Sequence, residues 1–410
     1  MTEPTEHRTD TSAPADPLTA AEIEAARSAT PGIEHVTHMN HAGSSLPSHA
    51  VLNTQLEHLK REATIGGYEA AAERADDNAA VYASIATLIG ADETEIARLE
   101  HATAAWNAAF WSVPMEPGQR ILTARAAYGA NAIGFLRAVE RRGVTIDVVP
   151  DDEHGQVDVA QVAARLDDDV ALVALTHVPT NGGLVNPAEA VGQLTRSAGV
   201  PFLLDACQSV GQLDLDVDRL GCDLLSATGR KYLRGPRGSG FLYASAGIVD
   251  RLIPAQPDHH GADWTTPSTY ALADDARRFE YWEYNHAAWL GLGTAVDEAL
   301  ERGTDRIEAT VVERATQLRE ALTAAGYRVM DLGQRRCGIV TVDVPQARAV
   351  QAMLRSKRIN TSVTSAASTR FDAEARGLED MLRVSVHYLT TVAEIEIVID
   401  ALNEATSSLG

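Results

Sequence analysis

Cysteine is scarce in this chain: Cys207, Cys222 and Cys337 are the only three in 410 residues, and they lie far apart. That excludes a disulfide framework and a cysteine-rich zinc site, and it suits a reducing compartment such as the cytoplasm. Basic residues are also short, with 35 Lys and Arg against 57 Asp and Glu and a formal net charge of −22. Nucleic acid and anionic membrane both demand a basic footprint, so neither is an expected partner. No apolar run approaches the ~20 residues needed to cross a bilayer. The opening "MTEPTEHRTDTSAPADPLTA" lacks a basic stretch followed by an apolar one, and residues 1–30 read as a disordered acidic extension. The spaced His35, His38 and His41 and the pair His259-His260 have no thiol or carboxylate set at ligand spacing, so no metal is expected.

What is present is a large core, with 45% hydrophobic residues, enough for two domains. Short apolar runs bounded by turn residues predict strands at 96–100, 120–125, 145–150, 171–178, 201–207, 222–228 and 240–245. Helical patterns separate several of them, as in "TAAWNAAFWSV" and "NAIGFLRAVERRG". Such alternation predicts an α/β fold, a mostly parallel seven-stranded sheet covered by helices. After about residue 290 one long helical stretch leads into "GIVTVDV", "MLRVSVHYL" and a last helix, the texture of a smaller α+β domain. The expected division is therefore 31–290 and 291–410, with residues 31–45 packing near the smaller part.

Ligands of open α/β sheets collect at the carboxyl ends of the strands. "LLSATGRKYLRGPRGSGFLY" sets Lys231 just past an apolar run, beside Thr228 and Arg230 and before a glycine-rich turn. A lysine buried there is kept for its amine. "PFLLDACQSVGQ" ends a strand on Asp205, a buried carboxylate that needs a cation, with Gln208 three residues on. "RLEHATAAW" opens a helix at Thr103 and Ala104, whose N–H groups suit a phosphate. "TARAAYGAN" delivers Tyr128, a ring able to cover a planar ligand, and "THVPTNGG" places His177, Thr180 and Asn181. A phosphate cradle, a flat ring, a buried acid and a buried amine are together what pyridoxal 5′-phosphate requires. The acid keeps the pyridine nitrogen protonated, and the amine forms the Schiff base.

These motifs resemble the class V aminotransferase family, the cysteine desulfurase-like group of fold-type-I pyridoxal phosphate enzymes. The likeness runs from "MNHAGSSLP" to near the C-terminus and rests most on "THVPTNGGLVNP", "DACQSVGQLDLDV" and "SATGRKYLRGPRGSGFLY". It implies Lys231 as the Schiff-base lysine, Asp205 as partner of the pyridine nitrogen and Gln208 as donor to the phenolic oxygen. It further implies Thr103, Thr228 and Arg230 at the phosphate, Tyr128 on the ring, and Arg383 of "LRVSVHY" on the substrate carboxylate, a role suited to its bidentate fork. Family members form dimers with sites at the interface. The segment "RRFEYWEYNHAAW", with Tyr284 and Asn285, resembles the one that reaches the partner's phosphate site.

Two departures bear on the reaction. Desulfurases carry a mobile-loop cysteine before the carboxylate arginine, whereas here that loop reads "INTSVTSAASTRFDAEARGLEDMLR". Cys207 and Cys337 are expected as packing thiols. Tyr128 stands where the desulfurase subgroup has histidine, and Thr180 where asparagine is frequent. "NHAGSS", "GGYEAA" and "GRKYLRGPRG" are most similar to the hercynylcysteine sulfoxide lyases of ergothioneine biosynthesis, which implies β-elimination from a cysteine-derived thioether or sulfoxide, with His41 and Tyr68 as substrate contacts. Transamination, epimerisation of the isopenicillin N epimerase kind and decarboxylation remain open alternatives.

Overall fold

The computed structural model describes residues 15–409. The seven apolar runs are strands: β1 (Ile96–Leu99), β2 (Arg120–Ala124), β3 (Thr145–Val149), β4 (Val170–Thr176), β5 (Phe202–Asp205), β6 (Leu224–Thr228) and β7 (Gly240–Ala244). They form one sheet in the order β1-β7-β6-β5-β4-β2-β3. Neighbours run parallel except at β7, which is antiparallel to both β1 and β6. Both faces are apolar because successive residues serve different cores. Leu204 and Leu225 point into one cluster, while Leu203 and Leu224 point into the other. That is why these runs read as continuous rather than alternating.

A second sheet carries four antiparallel strands: β8 (Arg328–Val329), β9 (Ile339–Asp343), β10 (Ser362–Thr364) and β11 (Met381–Ser385), ordered β8-β9-β11-β10. Val340, Val342, Leu382 and Val384 pack against Leu318, Leu354 and Leu402 of the helices Thr304–Ala324, Ala347–Ser356 and Val392–Leu409. The single long helix expected after residue 290 is two, His286–Arg302 and Thr304–Ala324, broken at Gly303 with φ of +83°. The division drawn at 290/291 falls inside the first of these. Trp289, Leu292 and Val296 of that helix join the core beneath the large sheet, as do Ile307 and Val311 of the helix that follows.

The N-terminal reading also needs correction. Residues 1–14 lie outside the described residues, but Ala20–Ser28 is a helix, opened by a capping box between Thr19 and Glu22. Ile23 and Ala26 are buried in the core, and this burial holds the segment against expectation. Beyond it, Thr37–His38 pairs in parallel with Ile359–Asn360. A hairpin, Ala262–Thr266 with Thr269–Leu272, was not foreseen, and it exposes Trp264 and Tyr270. No helix among the described residues is long and apolar enough to cross a membrane.

Close backbone approach decides one glycine. A Cβ on Gly192, inside helix Ala188–Ala198, would stand 2.0 Å from the carbonyl oxygen of Leu220 and 2.9 Å from Cα of Gly221. Gly192→Ala should therefore destabilise the protein by about 1–3 kcal/mol, although helix propensity alone favours alanine by ~1 kcal/mol. Urea unfolding measures the sign, and a stabilised variant would refute the close packing.

Candidate active site

The carboxyl ends of β4, β5 and β6 lie side by side, with Thr176 in register with Asp205 and Asp205 with Ser226. Above them is a cavity of about 290 Å³. Thr103, Tyr128, Thr180, Asp205, Gln208, Thr228, Arg230 and Lys231 all line it. The chain must leave each parallel strand at this edge, so residues that follow apolar runs at scattered sequence positions converge here.

The buried charges define its electrostatics. Asp205 is 6% exposed, and burial raises its pKa above the usual carboxylate value. Opposing that, Asn131 Nδ2 donates to Oδ2 at 2.7 Å and the Cys207 N–H donates to Oδ1 at 3.0 Å. Lys231 is 9% exposed, and burial lowers the pKa of its amine. On β11, Arg383 donates through Nη1 to the Thr180 carbonyl at 3.0 Å and hydroxyl at 2.7 Å, and through Nη2 to Asn40 Oδ1 at 3.3 Å. None of these partners is charged. Burial brings Arg383 down to about 10, and its Nε has no partner among the described residues. A guanidinium so placed is complementary to an anion.

The segment "NHAGSS" braces these groups from outside the sheet. The Ala42 carbonyl accepts from Gln208 Nε2 at 3.1 Å, and the Gly43 carbonyl accepts from Arg230 Nη1. The Ser45 N–H donates to the Arg230 carbonyl at 2.9 Å, and Asn40 meets Arg383. One short strap thus touches both sides of the site.

Other expected residues lie elsewhere. His41 does not line the cavity: it is buried, bonded to Ser45 Oγ at 2.9 Å and stacked on His387 at 4.7 Å between ring centroids. Its ring fills the space beneath the strap, so a substrate contact is corrected to a packing role. Tyr68 is 76% exposed on helix Gly67–Glu73 and is absent from the lining. Tyr284 and Asn285 line a smaller neighbouring cavity that shares Gly238 with the main one. There the Arg98 guanidinium lies 3.3 Å from the Tyr284 ring centroid, and Asn285 caps helix His286–Arg302. The Ala104 N–H is taken by His101 Nδ1 at 3.0 Å, so within this protein it is not a free phosphate donor.

Sequence reasoning missed Asn131, Asn40, Arg237 and the true place of Cys207. Cys207 lines the cavity beside Lys231, not a packed core, because it follows Asp205 out of the strand. Burial raises the pKa of its thiol, as it does for Cys222 and, to about 12, for Cys337. The signal for Asn131 was present as its position three residues after Tyr128, at the start of one helix.

The donor and acceptor set fits pyridoxal phosphate. Asp205 keeps acceptor capacity for a cation, Lys231 offers an amine, and among the described residues Arg383 and Arg230 have no carboxylate partner; Gln208, expected as a donor, gives its Nε2 to the Ala42 carbonyl and leaves Oε1 without a partner.

The sequence pattern of the aminotransferase class-V family matches residues 37–398. The chain belongs to that family. It is 29% identical over 407 residues to the probable hercynylcysteine sulfoxide lyase of Mycobacterium tuberculosis, covering 98% of this chain and 97% of the relative. Its fold is that of solved pyridoxal phosphate enzymes. The apo cysteine desulfurase of Thermococcus onnurineus superposes with a TM-score of 0.87 at 21% identity, over 94% of this chain and 98% of that one. A variant of C-DES, with glycine covalently linked to its pyridoxal phosphate, superposes at 0.82 with 22% identity, over 92% and 98%.

The segment that should carry a desulfurase cysteine is ordered here as a turn, Ala366–Ser368, and a helix, Arg370–Arg376. Asn181 Nδ2 ties it down, donating to Thr369 Oγ1 at 2.6 Å and Asp372 Oδ2 at 2.9 Å. A Cβ on Gly129, beside Tyr128, would stand 2.7 Å from the Ala367 carbonyl oxygen, so the segment rests on the start of the Tyr128 helix. Asn181→Ala should raise proteolytic cleavage between residues 365 and 378 severalfold, with the cost confined to about 1–3 kcal/mol for the lost buried hydrogen bonds. Unchanged cleavage would show that the tie does not hold the segment.

Proposed function

We propose that this protein is a pyridoxal phosphate-dependent C–S lyase that cleaves a cysteine-derived thioether or sulfoxide by β-elimination, acting on a substrate of the hercynylcysteine sulfoxide type. The observation that carries this reading is one cavity lined by Lys231 and the buried Asp205 carboxylate, with Arg383 bonded to the lining residue Thr180 and, among the described residues, without a carboxylate partner. The finer substrate assignment draws on the likeness, along nearly the whole chain, to the mycobacterial lyase.

When bound, the cofactor supplies an electron sink for the bonds at the substrate's Cα. Lys231 would hold it through the amine and act as the base at Cα, a task helped by burial, which favours the neutral amine. Asp205 would keep the ring nitrogen protonated. Thr103, Thr228 and Arg230 would hold the phosphate, Tyr128 would cover the ring, and Gln208 and Thr180 would serve its phenolic oxygen. Arg383 fixes the α-carboxylate by its bidentate fork, which sets the direction of the Cα–H bond. A sulfenate leaves the β-carbon unaided, so no cysteine is required of the 361–380 segment.

The reading includes a homodimer. Leu52, Leu56 and Leu59 recur at helical spacing on His49–Ile65 and are each more than a third exposed, an apolar stripe suited to a second copy. Tyr284 and Asn285 would then serve the partner's phosphate site. Three unpaired thiols suit the cytoplasm.

Pyruvate and ammonia should form from S-substituted cysteine sulfoxides in the presence of the cofactor, with no protein persulfide. A persulfide on Cys207, the one thiol lining the cavity, would instead mark a desulfurase. Lys231→Ala should abolish turnover, and borohydride should no longer fix the cofactor to the protein by intact mass. Arg383→Lys should raise KM roughly 10- to 100-fold, since a point charge replaces the fork; a wild-type KM would remove Arg383 from the substrate site.

A further inference from the structure

Asn131 lies in the first turn of helix Gly129–Arg142, whose N-cap is Tyr128. One helix start thus supplies a ring that lines the cavity and an amide that reaches Asp205. Asn131 is 5% exposed, and the 2.7 Å contact to Asp205 Oδ2 joins two buried side chains. The Cys207 N–H occupies Oδ1. A carboxylate has about four acceptor directions over its two oxygens, so each oxygen keeps one unused. The positive end of this 14-residue helix also favours a negative charge at its start.

We propose that Asn131 is a positioning residue whose amide keeps the Asp205 carboxylate ionised and its unused lone pairs turned to the cavity. The proposal rests on the cofactor reading above, because that ring nitrogen is the cation Asp205 would meet. Burial alone drives Asp205 toward its neutral form, and a neutral acid cannot hold a pyridinium. The titratable groups facing it are the Lys231 amine and the Cys207 thiol. The thiol stays neutral, since burial raises its pKa. In the cofactor-free chain the two hydrogen bonds and the Lys231 amine carry the stabilisation of the charge. Asn131 supplies the hydrogen bond that comes from a side chain.

The full chain stripped of cofactor tests this by infrared difference spectra against Asp205→Asn, which isolate the protonated Asp205 carboxyl as pH is varied. Asn131→Leu removes the donor, and Asn131→Asp replaces it with a like charge at the same size. Both should move the Asp205 midpoint upward by about one to two pH units. Both should weaken uptake of pyridoxal phosphate roughly 10- to 100-fold, followed by absorbance titration. Circular dichroism checks the fold, and if Asn131→Leu fails to fold, the near-isosteric Asn131→Asp decides alone. An unmoved Asp205 midpoint in the folded variants overturns the proposal. A shifted midpoint in a protein whose wild type takes up no pyridoxal phosphate overturns the cofactor reading and leaves the Asn131–Asp205 pairing standing.

Discussion

A carboxylate buried at the end of a central parallel strand is the constraint around which this site is organised. Asp205 sits where β5 leaves the sheet, with β4 and β6 on either side, and burial works against its charge. Such a group survives only with hydrogen-bond donors and a cation nearby. Asn131, the Cys207 N–H and Lys231 meet that need within the chain, and each comes from a different stretch. The helix that brings Asn131 also brings Tyr128. Stabilising the acid and shaping the cavity are therefore one structural task.

The second organising feature is the strap at residues 40–45. It lies between the two sheets, bonded to Gln208 and Arg230 on one side and to Arg383 on the other. Beneath it His38, His41 and His387 pack ring against ring, and His387 Nε2 meets the Tyr232 carbonyl at 3.0 Å, one residue after Lys231. Burial lowers the pKa of all three imidazoles, which keeps this layer neutral. The strap thereby fixes the distance between the amine side of the cavity and the arginine on β11. A wrong spacing there would misplace any ligand held at both ends.

Net charge and local charge have opposite signs. The chain carries −22 overall, yet its cavity is lined by Lys231, Arg230 and Arg237, and Arg383 bonds to the lining residue Thr180. An acidic surface around a cationic cleft concentrates an anionic ligand inside rather than over the exterior. Fold alone does not choose among the reactions such a cleft supports. The distinguishing facts here are local: a Thr369–Asp372 segment tied to Asn181, and a single thiol, Cys207, at the strand end instead of on a mobile loop.

Much of this was legible in the sequence, for a definite reason. Short continuous apolar runs between turn residues, alternating with helical patterns, read as doubly covered strands. Their carboxyl ends then locate Thr228, Asp205, Tyr128 and Lys231 without any tertiary knowledge, and these do share one cavity. The break at Gly303 and the helix Ala20–Ser28 were misread because a helical pattern does not reveal where a glycine turns it or what its apolar face will cover. His41 carried the same residue type as a substrate contact, and only packing against His387 showed it to be core. Asn40 meets Arg383 across 343 positions of chain, and Asn131 meets Asp205 across 74. Local periodicity thus determined the strands and what stands at their ends. Which distant polar groups satisfy those ends was decided only by tertiary structure, because a hydrogen bond between remote residues leaves no period in the sequence.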